Sequence, residues 1–258
     1  MTIQSTLLIS ALFALGAAII YAYVGWRLSK RVIASSEGKL AWQSFTVWWY
    51  GLAATTLIGG FLNLLGAFDL TVLPIFVTAT YINLLVICLA LWGLLYYLIY
   101  LFTGNSRLLV PLCIIYLIYY TLLVYYITAS VPEGIQVERW NTSLDYRLPL
   151  TGSFFLFVVL LLLLPQIIGG LAYFTLYFRV SEVTQKYHVL LVSWSIIIWF
   201  LSPLLAVAGG LAEQDWWQLM SRLIGLAAAL TILMAYFPPH WLKERYGIIS
   251  LHEDVKKR

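Results

Sequence analysis

Seven apolar stretches, each long enough to cross a lipid bilayer, fill almost the whole of this 258-residue chain. A transmembrane helix needs about 20 apolar residues, because the hydrocarbon core of a bilayer is about 30 Å thick. The predicted spans are 5–26, 43–67, 71–102, 108–129, 151–178, 187–210 and 217–239. The longest connections are 27–42 and 130–150. This pattern predicts an all-α, polytopic membrane protein, with a seven-transmembrane domain at 1–246 and a short cytoplasmic tail at 247–258.

Basic residues are distributed unequally between the two sides of these spans. Twelve fall on one side: Arg27, Lys30, Arg31, Lys39, Arg107, Arg179, Lys186, Lys243, Arg245, Lys256, Lys257 and Arg258. Lys and Arg are retained on the cytoplasmic side, so the N-terminus is expected outside and the C-terminus inside. The net charge of +4 reflects this collar, which predicts contact with the lipid bilayer and gives no reason to expect nucleic-acid binding.

Arg222 is the single charged residue within the seven spans. An ionisable group there costs roughly 2.5 to 3.5 kcal/mol on insertion scales, which predicts a local purpose. In a structural reading, Arg222 extends to the outer interface or pairs with Asp69, Glu213 or Asp215. In a functional reading, it binds the anionic or carbonyl group of a ligand whose apolar body lies among aromatic residues. The structural reading is favoured.

Neutral polar residues in several spans predict an outer-facing cavity. With Arg222, the candidate ligand contacts are Asn83, Tyr81, Thr80, Asn63, Trp199, Ser202 and Gln166. Polar side chains also bond helices to one another in lipid, and this interpretation competes with ligand binding at the two asparagines.

The spans contain no Asp or Glu, and all three histidines lie near the inner face. Proton-driven transporters normally carry a titratable group within the membrane, and metal sites need clustered ligands. The chain is therefore expected not to be an enzyme and to hold no metal and no covalent cofactor. A noncovalent lipid or pigment stays open.

Aromatic residues are frequent near the span ends, and we expect most of them to form interface belts. These residues include Trp42, Trp48, Trp49, Tyr96, Tyr97, Trp216, Trp217 and Trp241. The 130–150 segment, with its Pro, Gly and Asn-Thr-Ser, is compatible with a small hairpin or lid over the outer mouth. A solvated connector tied down by Trp140 and Tyr146 is the favoured interpretation.

Two short motifs resemble microbial rhodopsins. The segment Trp199-Phe200-Leu201-Ser202-Pro203 is similar to their sixth-helix motif, and Tyr81-Ile82-Asn83 is similar to the third-helix segment that carries the counterion. The resemblance implies a rhodopsin-like bundle. Residues 217–239 contain no lysine, so retinal cannot be attached there as a Schiff base.

The exit of the seventh span, Pro-Pro-His-Trp-Leu-Lys-Glu-Arg at 238–245, predicts a helix stop followed by a short amphipathic segment. With seven preceding spans, it resembles the N-terminal sensor module of bacterial histidine kinases at the junction with their signalling domains. The resemblance implies a receptor-like module in the cytoplasmic membrane of a bacterium, which signals to a cytoplasmic or membrane protein partner.

The expected function is sensory: a small hydrophobic or amphipathic ligand binds in the outer-facing pocket, and helix rearrangement carries the signal inward. The kinked helices around Pro165 and Pro203 would move. Two alternatives remain. A weak three-one-three repeat suits a facilitative transporter of a neutral solute, and the aromatic and Gly-containing faces suit a non-catalytic accessory subunit of a membrane complex.

Overall fold

A computed structural model of the protein describes residues 4–30, 36–130, 132–146, 164–212 and 215–248. The helices are α1 (Ser5–Ser29), α2 (Ser36–Ala67), α3 (Leu73–Thr103), α4 (Leu109–Ser130), α5 (Leu164–Arg179), α6 (Val183–Ala212), α7 (Asp215–Tyr236) and α8 (His240–Tyr246). A single 3-10 turn, Ser106–Leu108, precedes α4, and two strands, β1 (Pro132–Val137) and β2 (Thr142–Tyr146), lie between α4 and α5.

Six of these helices are long and apolar enough to span a membrane. They are α1, α2, α3, α4, α6 and α7, and they match six of the seven predicted spans. The predicted fifth span, 151–178, is described only from residue 164, where α5 begins. Residues 151–163 lie outside the described residues.

The helix ends differ from the prediction on the basic side at the 27–42 segment, at the start of α6, which begins at Val183 and not at residue 187, and at the end of the seventh span. The 27–42 segment was predicted to be a loop, but α1 continues to Ser29 and α2 already begins at Ser36. This prediction was wrong because a helix needs no apolar residues where it extends beyond the hydrocarbon core. The seventh span ends at Tyr236 and not at residue 239, since the prolines at 238 and 239 disfavour helical backbone before them. The predicted amphipathic segment after the stop is confirmed as α8.

The helices pack in a closed series. Contacts join α1 to α2, α2 to α3, α3 to α5, α5 to α6, α6 to α7 and α7 back to α1, while α4 packs on α3. The hairpin lies at one end of this bundle, and the residues Arg27, Lys39, Arg179 and Lys186 lie at the other. We call these the hairpin end and the basic end.

Aromatic side chains fill the core towards the basic end. Trp48 and Trp49 of α2 are 1% and 0% exposed, and Tyr96 of α3 is also fully buried. The Trp48 ring meets Trp199 of α6 edge-on at 5.6 Å, and Trp49 stacks on Tyr21 of α1 at 6.0 Å. The prediction of an interface belt was therefore wrong for these α2 and α3 residues, which instead join helices within the core. Trp216 and Trp241 are exposed, as a belt requires.

The connection after α4 is an antiparallel hairpin and not the favoured solvated connector. Ile135 pairs with Leu144 and Val137 with Thr142, and a bulge interrupts the register between Pro132 and Gly134. The backbone N–H of Glu138 donates to the carbonyl of Asn141 at 2.8 Å, which closes the turn. Leu144 and Thr142 are buried against the helices, so the hairpin belongs to the folded domain.

Candidate functional site at the hairpin end

The hairpin is attached to the ends of α1 and α2 through one buried asparagine. Asn63 of α2 is fully buried, and its Oδ1 accepts a 2.8 Å hydrogen bond from the backbone N–H of Thr142. Its Nδ2 donates to Oγ of Ser10 at 3.1 Å, and that hydroxyl donates in turn to the carbonyl of Trp140 at 2.8 Å. Both polar atoms of the Asn63 amide are thus engaged, one with a helix and one with the hairpin.

Helix α7 holds the hairpin from the other side. Arg222 is half-buried and its Nη2 donates a 2.6 Å hydrogen bond to Oδ1 of Asn141 in the hairpin turn. One turn earlier on α7, Gln218 donates through Nε2 to the carboxylate of Glu138. The turn between β1 and β2 therefore lies between Asn63 and Ser10 on one side and the α7 pair on the other.

Of the three predicted ion-pair partners of Arg222, only Asp69 has a described side chain, and Arg222 does not pair with it. Asp69 lies in the turn after α2, and no salt bridge joins it to Arg222. The Asp215 side chain and the whole of Glu213 lie outside the described residues. The partner of Arg222 within the described ranges is an uncharged amide, and this partner comes from a loop rather than from a helix end.

Reciprocal hydrogen bonds join α7 to α6 next to Arg222. Ser202 Oγ donates to the carbonyl of Ser221 at 2.9 Å, and Ser221 Oγ donates to the carbonyl of Ser202 at 2.7 Å. Two turns deeper, Ser195 Oγ donates to the carbonyl of Ala228 at 2.9 Å. Ser202 therefore binds the neighbouring helix at Ser221, the residue that directly precedes Arg222.

The predicted residues on α3 lie apart from this group. Tyr81 Oη is 3.0 Å from Oγ1 of Thr128 and forms a hydrogen bond towards α4. Thr80 Oγ1 donates to the carbonyl of Phe76 one turn back at 2.9 Å. Asn83 is partly buried, and its Oδ1 is a buried acceptor that has no hydrogen-bond partner among the described residues.

Trp199 and Gln166 lie deeper in the bundle. Trp199 is buried against Trp48, and Gln166 is 1% exposed near the start of α5. The structure thus brings Arg222, Asn63 and Ser202 together at the hairpin end, where their hydrogen bonds form one set that connects the helices and the hairpin. Tyr81, Thr80, Asn83, Trp199 and Gln166 lie around the bundle at other positions.

The residues that complete this set are not among the candidates predicted from the sequence. They are Ser10, Glu138, Trp140, Asn141 and Thr142. Ser10 has a signal, because it is a polar residue within an apolar span. Trp140 is predicted only as an anchor of the connector, and the contacts of the hairpin residues with the helices cannot be inferred before the conformation of the loop is known.

The described residues contain no group of three or more His, Cys, Asp or Glu side chains that could hold a metal ion. Their six apolar helices define a multi-pass integral membrane protein of mainly helical structure. The sequence matches no protein-family model, and no curated protein matches it at a significant level.

Proposed function

We propose that this chain is a sensory, receptor-like module that binds a small hydrophobic or amphipathic molecule at the hairpin end. In this proposal the N-terminus and the hairpin face the exterior and the basic end faces the cytoplasm, following the distribution of Lys and Arg. The observation that carries the proposal is the contact of Arg222, a cation within an apolar span, with the neutral amide of Asn141.

The Arg222–Asn141 hydrogen bond is open to replacement by a stronger one. Arginine binds a carboxylate through shorter, charge-assisted and frequently bidentate hydrogen bonds, which a single amide oxygen cannot match. A ligand with a carboxylate or carbonyl group would take the place of Asn141 on Arg222. Its apolar body would lie between the helices that now hold the hairpin, with the Asn63 amide, once released from Thr142, as a polar contact.

Displacement of the hairpin would change the position of α7. The hairpin bonds to α1 and α2 through Ser10 and Asn63 and to α7 through Arg222, so it bridges helices at one end of the bundle. Helix α7 is bonded to α6 by the serine pair, and Tyr21 of α1 donates to the carbonyl of Gly225 at 3.3 Å. A ligand shifts such an equilibrium only through different affinities for the two states. In our proposal the difference arises at Arg222.

The signal would leave the bundle through α7 and α8. Helix α7 ends before the two prolines, and α8 continues at the basic end with Lys243 and Arg245. Pro203 within α6 is a site where the helix lacks one backbone hydrogen bond and can bend. The closed helix series supports a rhodopsin-like bundle that passes its signal to a cytoplasmic partner, in the manner of the sensor modules of bacterial histidine kinases, in a bacterial cytoplasmic membrane.

One observation favours a second function. Helices α1, α2 and α3 pack in sequence, as do α5, α6 and α7, while α4 packs on α3 alone among the stronger contacts. Two triplets and a linker suit a facilitative transporter of a neutral solute. Counterflow of labelled solutes in proteoliposomes tests this alternative, since a sensor gives no flux.

The test of the sensory proposal is purification from the native membrane in mild detergent, followed by an absorption spectrum and mass spectrometry of extracted small molecules. We expect one amphipathic molecule per protein in the wild type and its loss in Arg222→Ala at unchanged yield of folded protein. An extract that contains no bound small molecule, from a preparation in which other membrane proteins copurify in stoichiometric amounts, would contradict the sensory proposal and favour an accessory subunit.

A further inference from the structure

A cavity of about 190 Å³ lies at the basic end, between the last turn of α1 and the first half of α2. Its polar lining includes Ser29, Lys39 and Gln43, and its apolar lining includes Val47 and the ring of Tyr50. This cavity is at the opposite end of the bundle from Arg222. It has no part in the function proposed above.

Four of the six α2 residues that line the cavity form a single stripe, beside which Trp42 and Thr46 complete the lining. Lys39, Gln43, Val47 and Tyr50 are spaced by four, four and three residues, which places them on one helix face. The stripe covers roughly 16 Å at about 1.5 Å per residue, or about half of a hydrocarbon core about 30 Å thick. It therefore begins with a cation outside the predicted span, which starts at residue 43, and ends with an aromatic ring about 10 Å inside that span.

The walls of the cavity are fixed by internal contacts. Trp42 Nε1 donates to the carbonyl of Leu28 at 2.8 Å, so α2 is bonded to the end of α1. Ser29 Oγ donates to the carbonyl of Trp26 at 2.8 Å and keeps its lone pairs for a further donor. The absence of a side chain at Gly25 lets the Tyr50 ring lie against α1, where a Cβ would be only 3.2 Å from Cδ1.

Two lysines lie beside the cavity. Lys39 is exposed at its entrance, and Lys30 directly follows the lining residue Ser29 at the end of α1. Lys30 Nζ is 3.7 Å from the centre of the Trp26 ring, which holds this cation at the aromatic surface. Basic residues next to a membrane attract anionic lipids, because each positive charge near the headgroups adds electrostatic attraction.

We propose that this cavity binds one phospholipid with an anionic headgroup, in the leaflet on the basic side. The ammonium of Lys39 and the amide of Gln43 bind the phosphate, and an acyl chain lies along Val47 and Tyr50. The apolar half of the stripe distinguishes this occupant from a free phosphate ion, which would use only the polar half.

Native mass spectrometry of the delipidated full chain tests the site with dimyristoyl phosphatidylglycerol as the probe. The wild-type protein is expected to bind one molecule of dimyristoyl phosphatidylglycerol, and to bind it more tightly than it binds dimyristoyl phosphatidylcholine. Lys39→Gln should weaken the phosphatidylglycerol affinity about fivefold, the effect of about 1 kcal/mol from one lysine. Lys186→Gln is the matched control, because it removes a cation from the basic end outside the cavity, and its affinity should equal that of wild type.

A second variant separates the cavity from general surface charge. Val47→Trp fills the apolar half and leaves every cation in place, so it should reduce the bound phosphatidylglycerol to the level of nonspecific adducts. Size-exclusion elution as in wild type establishes that each variant is folded. Equal affinities of Lys39→Gln and Lys186→Gln would overturn the proposal, as would competition by millimolar inorganic phosphate.

Discussion

Arg222 of α7 and Asn141 of the hairpin turn are 81 residues apart in sequence, and they are joined by a 2.6 Å hydrogen bond. The bond connects the single cation of the predicted spans to a loop that closes one end of the bundle. It lies one residue from Ser221, which bonds α7 to α6. The contact therefore links the hairpin to the helix packing beneath it.

Asn63→Leu should lower the free energy of unfolding by about 1 to 3 kcal/mol, because it leaves the buried N–H of Thr142 without its acceptor. Chemical unfolding in detergent measures the change. Thr80→Val is the matched control, since it removes only a bond within one turn of α3, and its effect should stay within about 0.5 kcal/mol. Equal effects of the two substitutions would show that the Asn63 bridge does not hold the hairpin.

Ser202→Ala and Ser221→Ala should be energetically coupled. Their hydroxyl oxygens are 3.2 Å apart and form a hydrogen bond with each other, so a double-mutant cycle should give a coupling free energy of about 0.6 to 1.7 kcal/mol, the range of interhelical hydrogen bonds in membranes. Ser193→Ala supplies the reference cycle with Ser221→Ala, because Ser193 bonds to Val189 of its own helix. Additive effects of Ser202→Ala and Ser221→Ala would contradict the contact between the two hydroxyls.

Gly93→Ala should destabilise the bundle by about 1 to 3 kcal/mol. A Cβ at Gly93 of α3 would collide with the carbonyl oxygen of Ser44 in α2, a backbone atom that cannot move away without separating the helices. At Gly59 of α2 a Cβ meets nothing within 4 Å, so Gly59→Ala should be neutral or stabilising by up to about 1 kcal/mol. Thermal unfolding compares the two. A Gly93→Ala protein as stable as Gly59→Ala would refute the close α2–α3 contact.

Trp48→Leu should cost about 2 to 4 kcal/mol, because Trp48 is buried at the junction with Trp199 and a smaller side chain leaves a cavity. Trp241→Leu in α8 changes the same chemistry at a residue that is 58% exposed, and should cost less than about 0.5 kcal/mol. Unfolding in detergent again gives both values. Similar losses would indicate that Trp48 belongs to an interface belt after all.

The membrane helices could be predicted from sequence because an apolar run of 20 residues is a strong and local signal. Helix ends were less accurate where polar residues continue a helix, as between Ser36 and Trp42. The burial of Trp48 and Trp49 could not be predicted, because an aromatic residue near a span end suits both the interface and a core between helices.

For the candidate site, the sequence identified Arg222, Asn63 and Ser202 as unusual but not their partners. Asn63 and Arg222 each bond to the hairpin, whose path back over the helices depends on packing at long sequence separation. Tyr81 was assigned to the same cavity from its depth alone. Depth does not determine which way a side chain faces, and Tyr81 bonds towards α4.

The attachment of the hairpin to the helix bundle through Arg222 is tested most directly by the distance between the two, measured by pulsed electron paramagnetic resonance in nanodiscs. Spin labels go on Gln136→Cys in β1 and Leu70→Cys after α2, two exposed positions, with Cys88 and Cys113 replaced by alanine. We expect one narrow distance in this background, a longer and broader distribution when Arg222→Ala is added, and no change with Arg179→Ala. An unchanged narrow distance in the Arg222→Ala protein would contradict the attachment of the hairpin through Arg222.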